Sequence, residues 1–465
     1  MAKALLLLIV ALLAGCSVGP DYLRPVTPAP AQWNVEYQAA AELADLRWWQ
    51  RFGDPVLESL VESALRNNLD LKEATAKVDQ YLGALNSSRS QFFPQFSASI
   101  TPGVQHTGGM TSESYQAALN ASWELDLWGR IRRSSESAQA QIMATEAGRR
   151  GTILTLVTSV ASAYLTLRGL DRLLEISRDS EKAYAESLKL FQLRFKHGTI
   201  SQLELSQQEN LYETARQEIP NNESLIRQQE NALSLLLGRA PGPIPRGKEL
   251  DALKPPGIPA GLPSQLLERR PDIIQAEQDL IAANADIGAA KAEYFPKLSL
   301  TGALGVASSD MGKLFTPAGE LWSLGGELAG PVFNFGATAG KVRQAESKKE
   351  QALFRYQKAI LTGFRDVEDA LIKTTKGKEQ LESQTRQLHS LEEYARLSKL
   401  QFEAGTSDYL QVLDADRSLF NSKLALIKSK YELLSTVVSV YKAMGGGWIS
   451  EADKLGGTMK LLEQK

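Results

Sequence analysis

Cysteine is almost missing from this 465-residue chain, which has only Cys16, and histidine is nearly so, with His106, His197 and His389 far apart. One thiol cannot form an intrachain disulfide or a multi-thiolate zinc site, and three scattered imidazoles have no metal-ligand spacing. The sequence therefore argues against a metal site and metal-centred catalysis, and no cofactor is expected. An excess of one charge is also missing. With 52 Lys and Arg against 54 Asp and Glu, no bulk field draws the chain to nucleic acid. Long hydrophobic runs are missing too: the longest, Ala4 to Ala14, is short of the roughly 20 residues of a spanning helix, which argues against a helical transporter.

That short run has its own meaning. Lys3 precedes it and Ala14, Gly15 and Cys16 follow, the order of a secretory signal peptide and its cleavage site. Leu13-Ala14-Gly15-Cys16 resembles the lipobox of bacterial lipoproteins, in which the Cys is acylated and becomes the new N-terminus. Removing residues 1–15 takes away Lys3 and moves the formal net charge from −2 to −3. Two or more acyl chains give stable anchoring where one gives marginal binding. Ser17, rather than Asp, follows the Cys, which in lipoprotein sorting implies the outer membrane.

Residues 17–47, within a lipid-anchored Pro-rich segment at 16–55, carry Pro20, Pro25, Pro28 and Pro30, too dense for helix or sheet, and read as an extended tether. Helical periodicity follows over about 56–91, 131–197, 201–237, 264–293, 337–403 and 408–443. Ile153, Val157, Val160, Tyr164, Leu167 and Leu174 make one apolar stripe. Helices of about 60 residues reach roughly 90 Å, far more than a compact domain needs. Pro220 falls inside one pattern, but apolar positions resume in register at Leu225, Ala232 and Leu236, which predicts a continuous, kinked helix.

The pattern also repeats. Leu65 to Leu71 matches Leu267 to Ile273, and Phe93-Pro94 matches Phe295-Pro296, both 202 residues on. Trp128-Gly129 matches Phe335-Gly336, and Phe195 to Thr199 matches Phe402 to Thr406, both 207 residues on. The chain reads as a tandem duplication: a first repeat at 56–238, a Pro- and Gly-rich linker at 239–263, a second repeat at 264–444 and a tail at 445–465.

Each repeat contains a segment of period two. Phe96, Ala98 and Ile100 alternate with Ser97, Ser99 and Thr101, and Tyr115 to Leu125 alternates likewise, giving a strand hairpin over about 95–126. The second repeat has Leu298, Leu300, Leu304 and Val306, then Trp322, Leu324 and Leu328, a hairpin over about 297–332. Strands of about 10 residues suit a membrane span. Four cannot close a barrel, and an open edge in lipid costs several kcal/mol per unpaired amide. The chain must then oligomerise, and twelve strands from three copies are the fewest that leave a lumen.

Beyond these patterns, Gly19-Pro20-Asp21-Tyr22, Trp48-Trp49 to Phe52 with Asp54-Pro55, Trp123 to Gly129, Leu235 to Gly238, Gly261 to Asp272 and Ala289 to Pro296 are specific stretches. On them the sequence resembles the outer-membrane factor (TolC/OprM-like) family, in its lipoprotein branch. The resemblance implies an α+β membrane protein: a homotrimer with a twelve-stranded β-barrel in outer-membrane lipid, continued by a periplasmic α-helical tunnel. It implies an exit duct for small molecules received from an inner-membrane RND-type pump through a periplasmic adaptor (membrane fusion) protein. A lipid-anchored coiled-coil scaffold or adaptor would need no membrane strands, and a protein-secretion duct would share the fold.

Two enzyme-like patterns are accidental. Gly15 to Gly19 fits G-x-S-x-G but straddles the cleavage site, and Gly242 to Lys248 fits a phosphate loop but runs into Glu249 and prolines. No enzyme is expected. The informative positions are the helical hairpin tips, at about 198–201 and 405–408. Gly198-Thr199 and Gly405-Thr406 end long helices, while Ser201 with Glu204 and Asp408 with Gln411 have capping-box spacing. These tips are the expected adaptor contacts. Beyond the second tip, Leu410, Asp414 and Arg417 share one helix face, and the first repeat has the uncharged Leu203, Gln207 and Asn210 there. By the resemblance they line a periplasmic gate. Gln411, Phe402 and Ser407 depart from the TolC pattern and imply a less acidic constriction.

Overall fold

The computed structural model describes residues 17–26, 30, 33–34, 39–40, 47–259, 263, 266–445 and 447–456. Cys16 and the signal segment 1–15 lie outside the described residues. In chain order come α1 (Pro55–Asn67), α2 (Leu69–Ser90), β1 (Gln95–Thr107), β2 (Met110–Leu125), α3 (Arg130–Lys196) and α4 (Gln202–Leu236). Then follow α5 (Pro271–Ala292), β3 (Lys297–Ser308), β4 (Glu320–Ala329), α6 (Ala337–Glu403), α7 (Tyr409–Ala443) and α8 (Ile449–Gly456). Helices α3 and α6 are both 67 residues long, and α4 and α7 both 35. Helix α4 is continuous through Pro220.

The chain divides into two compact units, the first from described residues within 1–27, 76–148 and 272–359, the second from those within 28–75, 149–271 and 360–465. Each takes segments from both halves of the sequence.

The first unit holds one antiparallel sheet in the order β1-β2-β3-β4. Register assigns its faces. Ile100 pairs with Ala117, Ala117 with Val306, Leu119 with Leu304 and Leu304 with Trp322, so most of the large apolar residues of the four strands fall on one side, with Leu321 on the other. Ser97, Asn120, Ala303 and Ser323 are likewise in register on the other side, where Asn120 Nδ2 donates to the diagonal neighbour Ser99 Oγ at 3.1 Å. The apolar side is bare: Ile100 is 83%, Leu324 84% and Trp322 77% exposed. A soluble sheet would bury that side, so its complement is hydrocarbon.

The segment after Cys16 is docked rather than a free tether. Ser17 lies against Gly129, Val18 N donates to Trp128 O at 3.1 Å, and Gly19 lies against Gly288. Asn284 Nδ2 donates to Pro20 O at 2.9 Å, Arg133 Nη2 to Asp21 at 2.7 Å, and Tyr22 and Arg24 both reach Glu277.

The second unit is built on the stripe read in the sequence. Ile153, Val157, Val160, Tyr164 and Leu167 are fully buried, with Trp48, Trp49, Tyr441 and Trp448 in the same core. Trp48 stacks on Tyr441 at 5.1 Å between centroids and meets Trp448 edge-on at 5.9 Å. Asp54 caps α1 through Val56 N at 2.9 Å, and Pro55 takes the first helical position, where no amide is needed.

The expected single helix over 56–91 is broken at Asn68, because its side chain has two other bonds to make. Its Oδ1 accepts from Leu71 N at 2.9 Å and its Nδ2 donates to Leu236 O at 3.0 Å. Gly238, at φ 66°, approaches so closely that a Cβ would lie 2.3 Å from Asn67 O. The matched contact recurs in the other half: Arg270 Nη1 donates to Ala443 O at 2.8 Å, and a Cβ on Gly445, at φ 75°, would lie 2.9 Å from Arg270 Cα.

The linker is pinned as well. Gly247 N donates to Tyr164 Oη at 2.9 Å and Lys248 N to Asp54 Oδ2 at 3.0 Å, so the amides of the accidental phosphate-loop pattern are used inside the protein. Past Gly445, helix α8 packs on α1 and is held by a buried two-point ion pair between Arg149 and Asp453.

Candidate functional site: the hairpin tips

Each tip forms because a long helix is stopped and restarted within a few residues. Gly198 and Gly405 take φ 69° and 71°, the left-handed conformation open to glycine. Thr199 N donates to Arg194 O at 3.0 Å, and Thr406 N to Gln401 O at 2.9 Å, closing the last turns of α3 and α6. At the first tip the capping box is complete: Glu204 N donates to Ser201 Oγ at 3.2 Å, and Ser201 N to Glu204 Oε2 at 2.7 Å. The second tip departs from expectation. Asp408 accepts from Leu410 N at 3.4 Å rather than from Gln411, whose amide bonds the Asp408 carbonyl. A carboxylate one atom longer than a hydroxyl reaches the second helical amide and leaves no reciprocal bond.

Leu410, Asp414 and Arg417 do share a face. With Gln207, Asn210 and Tyr394 they line a cleft of about 440 Å³. Leu410 is 58% exposed, and Arg417 Nη2 donates to Asp414 Oδ1 at 3.1 Å along the same helix. With both side chains at least half exposed, that ion pair contributes only a few tenths of a kcal/mol. Their geometry leaves them available for other contacts.

Behind this face lies a cluster that sequence reading missed. Phe191, Leu205, Leu211, Tyr409, Val412 and Leu413 are buried together. Tyr409 sits between Phe191 and Phe402, 4.5 and 5.1 Å away between centroids, and its hydroxyl donates to Gln208 Oε1. Tyr184 Oη donates to the Asp416 carbonyl at 3.2 Å, and Gln208 Nε2 to the Tyr184 carbonyl at 3.4 Å. These bonds tie α3, α4 and α7 together. Burial pushes the Asp416 carboxyl above the usual carboxylate range, with Lys399 and Lys423 pulling it back. Burial, then the Asp416 charge, pushes the Tyr184 and Tyr409 hydroxyls up as well. The one signal in the sequence is Gln208, a polar residue interrupting the Leu205, Leu211, Ala215 stripe at a position only 1% exposed.

The sequence model of the family described as outer membrane efflux protein matches residues 60–239 and 262–446. The probable efflux pump outer membrane protein TtgC of Pseudomonas putida is 37% identical over 97% of both chains. The probable outer membrane lipoprotein SilC of Salmonella typhimurium is 33% identical over 94% of this chain and 97% of its own. Among solved structures, the open state of the Neisseria gonorrhoeae MtrE outer membrane channel superposes with a TM-score of 0.85 at 30% identity, covering 93% of this chain and 99% of that one. An apolar-faced four-strand sheet, paired long helices and these likenesses agree: the chain belongs to the outer membrane efflux protein family, a family of outer-membrane channels.

Proposed function

We propose that the protein is a homotrimeric exit duct that carries small molecules out of the cell, receiving them from an inner-membrane RND-type pump through a periplasmic adaptor protein. The observation that carries this reading is the sheet. Its apolar face is exposed, its opposite face is mostly polar, and the outer edges of β1 and β4 have no strand partner among the described residues. In lipid such edges must be paired, and three copies supply the twelve strands of a barrel with a lumen.

Acylated Cys16 anchors each copy. Support comes from Ser17, which lies against Gly129 just past the end of β2, so the acyl chains start beside the membrane strands. The tips around Gly198, Thr199, Ser201, Gly405, Thr406 and Asp408 take the adaptor, and Leu410, Asp414 and Arg417 form the periplasmic gate. A coiled-coil scaffold would have no use for the bare apolar face. The test is accumulation of a lipophilic dye in cells lacking the gene. Retention of dye, reversed by the wild-type gene and not by one with α6 and α7 tip residues 402–410 deleted, is the expected result. Unchanged dye efflux in the null strain would contradict the reading.

A further inference from the structure

The strands meet the helices at two kinds of corner, one closed and one bare. At the closed corner the chain leaves β2 through Trp128. The Trp128 indole donates to Pro296 O at 2.8 Å and stacks on Phe295, centroids 4.6 Å and planes 21° apart. The exit of β2 is thus clasped to the entry of β3, the strand with which it pairs. Trp128, Phe295 and Pro296 are all partly buried there, and Gly129 fully.

The sequence carries the same pieces a second time. Phe93-Pro94 lies 202 residues before Phe295-Pro296, and Phe335-Gly336 lies 207 after Trp128-Gly129. Here nothing is clasped: Phe335 is 90% exposed, Phe93 67%, and Phe333, edge-on to Phe335 at 4.5 Å, is 74%. Phe335 also holds φ 52°, the one described non-glycine residue with positive φ. Such a conformation persists where surrounding contacts fix it, and a ring this exposed finds few within its own chain. These bare pieces adjoin β4 and β1, the two strands with free outer edges.

We propose that Phe335 of one copy packs on Phe93-Pro94 of the next, repeating between chains the clasp that Trp128 makes with Phe295-Pro296 within one, and that this sets the register of β4 against β1. The inference rests on the homotrimeric reading above and adds its residues and register. Leu125 pairs with Leu298. Carried forward 207 and back 202 residues, that pair becomes Val332 opposite Phe96 of the neighbour. Antiparallel stepping then places Leu328 opposite Ile100 and Leu324 opposite Val104. All four side chains fall on the apolar face, as a barrel in lipid requires, and Leu321 arrives opposite Thr107, at the end of β1. Phe335 has no N–H to copy the indole hydrogen bond, so the corner between chains is held by ring packing alone.

Paired cysteines test the register in the full-length protein in outer membranes, since its only native thiol is Cys16. Under mild oxidation, Ile100→Cys with Leu328→Cys, and Val104→Cys with Leu324→Cys, should give covalent trimers. The swapped pairs, Ile100→Cys with Leu324→Cys and Val104→Cys with Leu328→Cys, place the thiols roughly 13 Å apart along the strands. They should crosslink at least about tenfold less, because a disulfide needs Cα atoms within about 7 Å. The swaps use the same four positions, so a folding defect at any one site affects both sets. Phe335→Ala should lower the temperature at which the unlinked trimer dissociates in detergent, and Phe335→Trp should restore it. Swapped pairs crosslinking as well as the matched ones, a sedimenting trimer with no matched crosslink, or an unchanged dissociation temperature for Phe335→Ala would overturn the clasp and leave the trimer standing. A monodisperse folded monomer would overturn the homotrimeric reading itself.

Discussion

Asp416 shows how a single carboxyl can set the firmness of a hairpin tip. Burial raises its folded pKa above the ordinary value of about 3.9. A raised folded pKa means that the protonated form suits the folded state better. Its contribution is therefore complete below the unfolded pKa and is lost as pH rises through the folded one. The groups facing it are Lys399 on α6, Lys423 on its own helix, and the Tyr184 and Tyr409 hydroxyls. Asp416→Asn should slow amide exchange in residues 402–420 at pH 7 and flatten the rise in exchange that the wild type shows from pH 4 upward, beyond the intrinsic base-catalysed trend. A steeper dependence in the variant would contradict this. On the exposed face, Asp414→Ala leaves Arg417 without its partner and Leu410→Ala removes bulk, so each should raise single-channel conductance, with cation preference reduced only by Asp414→Ala. Gln207→Ala, in the same cleft but uncharged, should change little. Leu410, Asp414 and Arg417 were legible because helical spacing alone places them together. The Tyr184, Gln208, Tyr409 and Asp416 cluster was not, because Tyr184 and Gln208 lie more than 200 residues before Tyr409 and Asp416 and meet them only through packing.

At the level of elements, periodicity located the long helices within a few residues because an apolar stripe running through dozens of residues leaves little freedom in its phase. The break at Asn68 was invisible for the opposite reason: α1 and α2 are both helical, and a side chain bonded to a carbonyl 168 residues away interrupts them. Helix α8 was hidden behind Gly445-Gly446-Gly447, a run that reads as a terminator. Its buried Asp453 reveals its purpose only once Arg149 is placed beside it. The tips make a graded prediction. Ser201→Ala removes both the hydroxyl of a complete capping box and the side-chain support of Glu204, and should cost about 1 kcal/mol of local stability. Asp408→Ala, losing one bond of 3.4 Å, should cost less. Exchange rates of the first-turn amides of α4 and α7 measure both. Equal effects would mean that the bond from the Ser201 hydroxyl to the Glu204 carboxylate contributes nothing.

For the whole molecule, the strands were legible from period-two alternation, and the need for partners followed from counting four of them. The register between strands was not, since only pairing shows that Ile100, Ala117, Val306 and Glu320 lie in one row across the sheet. The anchor belongs to this scale because Ser17 and Val18 are fixed at the base of the strands. Cys16→Ser should abolish palmitate incorporation and leave precursor uncleaved or misplaced; an unlabelled wild type would contradict the lipoprotein reading. The central claim is that three chains enclose one duct, closed at the tips. Single-channel recording in planar bilayers tests it most directly, comparing wild-type protein with the Leu410→Ala, Asp414→Ala double variant. Discrete conductance steps, markedly larger in the double variant, are the predicted result. Bilayers that stay silent with both proteins, although each is present as a folded trimer, would contradict it.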